Sequence, residues 1–192
     1  MARRRARALP RLVAHMTVSI LSRALVSAAL SSLTTVAVAS ALSRLSGRSA
    51  AEPMNAVGSH MAGRHASRGA GFALQSTLPG VLINLGGCLF WAGVMERWIG
   101  EHPLAGARDA LGRGAIAASL AYLVDYHGIP RRLRPGYERK LSTAQLLLVY
   151  SSLALSLPLR AWVAGEPLRA SPHRQETSPL VLRPALVAGI IG

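Results

Sequence analysis

The sequence predicts an all-α, polytopic membrane protein built as a bundle of four transmembrane helices. Three observations predict it. Of 192 residues, 51% are hydrophobic and only 16% charged, where soluble domains carry about 25% charged residues. The apolar residues are gathered into blocks, three of which run charge-free for 19 residues or more, close to the ~20 residues that cross about 30 Å of hydrocarbon. The basic residues fall between the blocks, so a mean hydropathy of +0.31 coexists with a formal net charge of +14. That hydrophobicity also excludes a disordered chain, which could not bury enough apolar surface to order itself.

Residues 1–23 form a basic N-terminal tail. The first span, 24–43, is charge-free and bracketed by Arg23 and Arg44. A second charge-free run covers 69–95 and ends at Glu96, Arg97 and Trp98; charges beside an aromatic mark a membrane interface, which places the span at about 77–98. The third span is shorter. Residues 110–126 reach spanning length if Arg113 snorkels outward and Asp125 lies near the other interface. Without it, residues 96–140 would be one long connection around an apolar helix-length block, and long structureless loops are uncommon. The fourth span, 142–162, opens with Ser142 and Gln145 at capping-box spacing and closes with Arg160 and Trp162.

The connection at 45–68 is hydrophilic and starts Pro53-Met54-Asn55, while 126–140 holds Pro130 and Pro135-Gly136. Both read as turns with short interfacial pieces. Residues 166–192 carry Pro167, Pro172, Pro179 and Pro184 and read as a disordered tail.

Small residues recur at helical spacing within the spans. The first carries Ala24, Ala28, Ser31, Ser32, Thr35 and Ala39; the second Gly80, Asn84, Gly87, Cys88 and Trp91; the third Ala110, Gly114, Ala118, Ala121 and Asp125. In lipid, apolar side chains give helices no reason to prefer one another over the tails, and small residues let backbones approach. The stripes therefore predict a compact bundle.

The basic excess alone would suit nucleic acid or an anionic surface. However, 21 of the 22 basic residues are arginines spread between apolar blocks, and aromatics for base stacking are only 5%, so nucleic acid is not expected as a partner. The expected partners are the lipid bilayer, anionic lipid head groups, and a protein partner or second copy. The single cysteine, Cys88, excludes an intrachain disulfide and any cysteine-based zinc site. Counted over alternate segments, the basic residues put 13 on the N-terminal side and 9 on the other, which favours both termini in the cytoplasm. A start at Met16 would remove five of the 13 and leave the balance undecided. A basic leader, an apolar stretch and Ala37-Val38-Ala39 also fit a cleavable signal peptide, although 20 apolar residues exceed the usual signal core.

Polar side chains inside a span are costly and point to function by default. Asn84 lies mid-span, where its amide would bond across helices or line a polar path. Asp125, Tyr126 and His127 form the densest polar group, just before Arg131, Arg132 and Arg134. The carboxylate would pair with a guanidinium to fix the turn, or the acid and imidazole would exchange protons while the arginines hold a lipid phosphate. Asn55, Ser59 and His60 are secondary candidates. No catalytic set, metal site or cofactor is expected: no carboxylate or cysteine stands at ligand spacing beside His60 and His65, and phosphate loops, nucleophile elbows and HExxH pairs are absent from the sequence.

The segments Pro53-Met54-Asn55-Ala56-Val57-Gly58-Ser59-His60, Phe90-Trp91 and Asp125-Tyr126-His127-Gly128-Ile129-Pro130-Arg131-Arg132-Leu133-Arg134-Pro135-Gly136-Tyr137-Glu138 resemble a family of small proteobacterial inner-membrane proteins with no assigned activity. The resemblance covers about 44–162 and implies a bacterial inner-membrane location. It also implies histidines in the middle of the second span, where this chain has Ile83 and Asn84; that departure weakens a metal or haem reading.

Two functions compete. One is a non-enzymatic accessory or structural membrane component, suggested by long spans without a convergent ionisable set. The other is a small transporter or membrane-embedded enzyme using Asn84, Asp125, Tyr126 and His127. An exported basic protein would require cleavage near Ala39.

Overall fold

A computed structural model describes residues 2–62, 71–130 and 134–164, with the side chains of 2–19, 60 and 62 excepted. The described residues are helical, with no strand among them. α1 spans Ala2–Leu45, so the basic leader continues the first span. α2 follows at Glu52–Ala62 and α3 at Leu74–Glu101. α4 covers Ala107–Leu123 and runs on into a π turn, Val124–Gly128. After a single 3-10 turn, Tyr137–Arg139, come α5, Thr143–Ser156, and α6, Leu159–Val163. The proline-rich tail lies outside the described residues.

Three segments are long and apolar enough to cross a membrane: Ile20–Leu45, Leu74–Glu101 and the α5–α6 unit Thr143–Val163, of 26, 28 and 21 residues. The last is interrupted at Pro158, which lacks the N–H a continuous helix would need. α4, with 17 residues, is shorter. The sorting of side chains agrees with a lipid solvent. Inside lie Ala24, Ala28, Ser31, Ser32, Thr35 and Ala39, while Leu21, Leu25, Leu33, Phe90, Ile116, Leu120, Leu148 and Leu155 are exposed. In water this ordering would forfeit the hydrophobic effect and leave a large adhesive surface. In a bilayer it places large side chains on tails and small ones at helix crossings. The chain is a membrane-embedded helical protein.

The expected capping box is present: Gln145 N–H donates to Ser142 Oγ (3.3 Å), and Ser142 N–H donates to Gln145 Oε1 (2.9 Å). The α4 stripe is also buried at Ala110, Gly114, Ala118 and Ala121. A Cβ on Gly114 would lie 2.0 Å from the Ala154 carbonyl oxygen, so α4 and α5 cross with their backbones in contact.

The first connection departs from expectation. Residues 53–59, read as an interfacial turn, form a buried helix. The reason is a reciprocal glycine contact: a Cβ on Gly58 would stand 1.8 Å from the Ser76 carbonyl oxygen, and one on Gly80 would stand 1.9 Å from that of Met54. Asn55 fastens the same pair, donating to the Gly71 carbonyl (2.9 Å) and accepting from Ser76 Oγ (3.1 Å) and Thr77 Oγ1 (2.5 Å).

α1 packs along both α3 and α5, and α5 along α4, whereas the consecutive helices α3 and α4 meet only slightly.

Candidate ligand cavity

A cavity of about 310 Å³ is lined from α1, α2, α3, α4 with its π turn, the 126–140 connection and α5. Residues Asn84, Gly87, Cys88 and Trp91 form its α3 wall. The stripe that the sequence presents as a packing seam is here a cavity wall, and Gly87 has open space where a Cβ would stand.

Asn84 is held on both ends of its amide. Nδ2 donates to Ser32 Oγ (3.0 Å) and Thr35 Oγ1 (3.2 Å) on α1, and Oδ1 accepts from the Tyr137 hydroxyl (2.8 Å). Thr35 in turn donates to the carbonyls of Ser31 and Ser32 and touches Cys88 Sγ at 4.0 Å. An amide buried in lipid is stable only with such partners.

Asp125, on the π turn, lines the same cavity, and its Oδ2 accepts from the Tyr150 hydroxyl at 2.6 Å. Among the described residues no guanidinium pairs with it; Arg131 and Arg132 lie outside them. Arg134 buries its Nε without a described hydrogen-bond partner. Tyr126 is buried behind the cavity, its ring 5.1 Å from Tyr122 and 6.1 Å from Tyr150, and its hydroxyl is sealed without a described partner. His127 is exposed and meets the Tyr122 ring at 5.8 Å. Asn84 and Asp125 thus share a cavity, Tyr126 supports it, and His127 is outside it.

Asn55 and Ser59 do not line the cavity. Asn55 joins α2 to α3, and Ser59 donates to the Ala56 carbonyl (2.7 Å) while accepting from Arg139 (3.2 Å). The His60 side chain lies outside the described residues. No group of three metal-ligating side chains occurs among the described residues.

Comparison with protein families, curated proteins and solved structures finds no match for this chain. The cavity must therefore be read from its own chemistry.

Sequence reasoning passed over Tyr150 and Tyr137. Both are hydroxyl-bearing aromatics beside long apolar runs, a signal of a buried polar partner. It also left unpaired the second polar cluster, in which Arg160 forms two bonds to Glu96, at 2.7 and 2.5 Å, and Ser27 Oγ donates to the same carboxylate at 2.6 Å. If spans alternate in direction, the second and fourth end on the same side, so charges closing both could meet.

Charges outside the spans fasten the ends of the bundle. Lys140 Nζ meets Glu52 at 3.0 Å, and Arg48 donates to the Lys140 carbonyl. Burial raises the Glu52 pKa, but the Lys140 and Ser49 hydrogen bonds and the nearby Arg48 charge outweigh it and hold the carboxyl below its ordinary 4.5. At the start of α4 Asp109 accepts from the Ala105 N–H (2.9 Å) and pairs with Arg113 at 2.7 Å, and Arg113 lies 5.3 Å from the Trp98 ring.

Proposed function

We propose that this chain is a four-span bacterial inner-membrane protein, with α4 and its π turn as the third span and both termini cytoplasmic, that works by binding a small molecule within the bundle. The observation that carries the reading is the cavity itself. Six parts of the chain converge on it, and Asn84, Asp125, Tyr137 and Tyr150 line it. A concave, mostly apolar space with a few fixed polar groups is the usual form of a ligand site.

The test is thermal unfolding in nanodiscs against a panel of small neutral, anionic and cationic compounds. At least one should stabilise the wild type, since a ligand that binds only the folded state raises its apparent stability. Gly87→Phe, which fills the open space beside Gly87, should abolish that response. A wild type indifferent to the whole panel would leave a structural role. Carbonate extraction should retain the chain in membranes, and a reporter fused after residue 165 should be active only in the cytoplasmic orientation.

A second reading, an accessory component that docks a protein partner or another copy, is favoured by Gly86, Gly93 and Gly100. They recur every seven residues along α3 with open space at each Cβ position. Cysteines placed at Gly86 and Gly93 would crosslink between chains if this face is occupied.

A further inference from the structure

We infer that the cavity selects a small organic cation, with the Asp125 carboxylate as its counter-charge. This rests on the cavity being a ligand site and adds the class of ligand. Asp125 is the one acidic residue lining the space, and no Lys, Arg or His lines it among the described residues. An ionisable group in a mostly apolar cavity of a membrane-embedded protein requires a partner or a functional role. Among the described residues only the Tyr150 hydroxyl donates to it, at 2.6 Å to Oδ2.

Apart from the Trp91 indole N–H and the Cys88 thiol, the donors around the cavity are already committed. The Tyr150 hydroxyl points at Asp125, the Tyr137 hydroxyl at Asn84 Oδ1, and the Thr35 hydroxyl at backbone carbonyls on α1. The Asn84 amide protons go to Ser32 and Thr35. What remains for a ligand is a carboxylate, hydroxyl lone pairs and three aromatic side chains, Trp91, Tyr137 and Tyr150. Such a set repels an anion and suits a cation, for which aromatic rings provide further attraction. The 310 Å³ volume falls at the lower end of ligand sites, so the cation is small.

The test uses benzyltrimethylammonium and the neutral benzyl alcohol as probes, with binding measured calorimetrically on the full chain in phosphatidylcholine nanodiscs and empty discs subtracted. The cation should bind at least about tenfold more tightly than the alcohol. Asp125→Asn should weaken the cation by about tenfold and leave the alcohol unchanged. Equal affinities for both probes on the wild type would overturn the inference without any variant, so a misfolded Asp125→Asn protein does not rescue it. Binding of benzyl alcohol alone would overturn the cation assignment and leave the ligand cavity standing. If neither probe binds and the wider panel also fails, both fall.

Discussion

Asn84 on α3 accepts a 2.8 Å hydrogen bond from Tyr137, 53 residues further along the chain, while its amide nitrogen holds Ser32 and Thr35 on α1. One side chain therefore joins two spans and the connection that follows the π turn, and it does so on the wall of the cavity.

Removing that hydroxyl leaves a lone pair of the half-buried amide oxygen without its partner. Tyr137→Phe is expected to cost about 1 kcal/mol, in line with interhelical hydrogen bonds in membranes. Asn84→Leu should exceed it by removing all three bonds. Equilibrium unfolding in mixed micelles would measure both; equal stability of wild type and Tyr137→Phe would contradict the geometry.

The Glu96–Arg160 pair, with Glu96 only 2% exposed, predicts strongly non-additive substitutions. Arg160→Gln strands a buried carboxylate and should destabilise by roughly 3–5 kcal/mol, whereas adding Glu96→Gln should restore more than half of the loss. A double-mutant cycle on unfolding free energy checks this, and simple additivity would argue against a direct pair.

Glycines on α2 and α3 should separate into two groups. Gly58→Ala and Gly80→Ala would push a methyl into a facing carbonyl and should cost about 1–3 kcal/mol by forcing the helices apart. Gly86→Ala and Gly93→Ala meet nothing within 4 Å and should be neutral or stabilising by up to about 1 kcal/mol, because alanine loses less backbone entropy in a helix. Thermal unfolding of the four variants in one detergent would rank them.

Glu52 sets an acid limit on the end of the bundle. Its folded pKa lies below 4.5, so the folded state binds a proton less readily than the unfolded chain. The stabilisation is fully present above pH 4.5 and is lost as pH falls through the folded pKa. Melting profiles between roughly pH 6 and pH 3 should fall less steeply for Glu52→Gln than for the wild type. Identical profiles would remove Glu52 from the acid response.

The helices were legible where lipid physics leaves a compositional trace. The α1 stripe of Ala24, Ala28, Ser31, Ser32, Thr35 and Ala39 is buried as its spacing predicts, and the Ser142–Gln145 cap follows from local pattern alone. Asn84 was recognisable as an interhelical amide, but its partners depend on register between distant segments. α2 was not legible, because Pro53 to Ser59 has no long apolar run and its burial arises from Gly58 meeting Gly80 across a turn. Asp125 stands out in the sequence as a polar residue at the end of an apolar block, whereas its Tyr150 partner lies mid-span in an apolar stretch with no local motif.

The order of synthesis gives the Glu96–Arg160 pair a further meaning. A ribosome delivers Glu96 into the bilayer 64 residues before its guanidinium exists, so the half-made chain must shield that acid with water, a proton or an insertion factor. Only the last helix ends this interval. A nascent chain stopped short of Arg160 therefore leaves the Glu96 carboxylate with Ser27 as its described partner and no counter-charge.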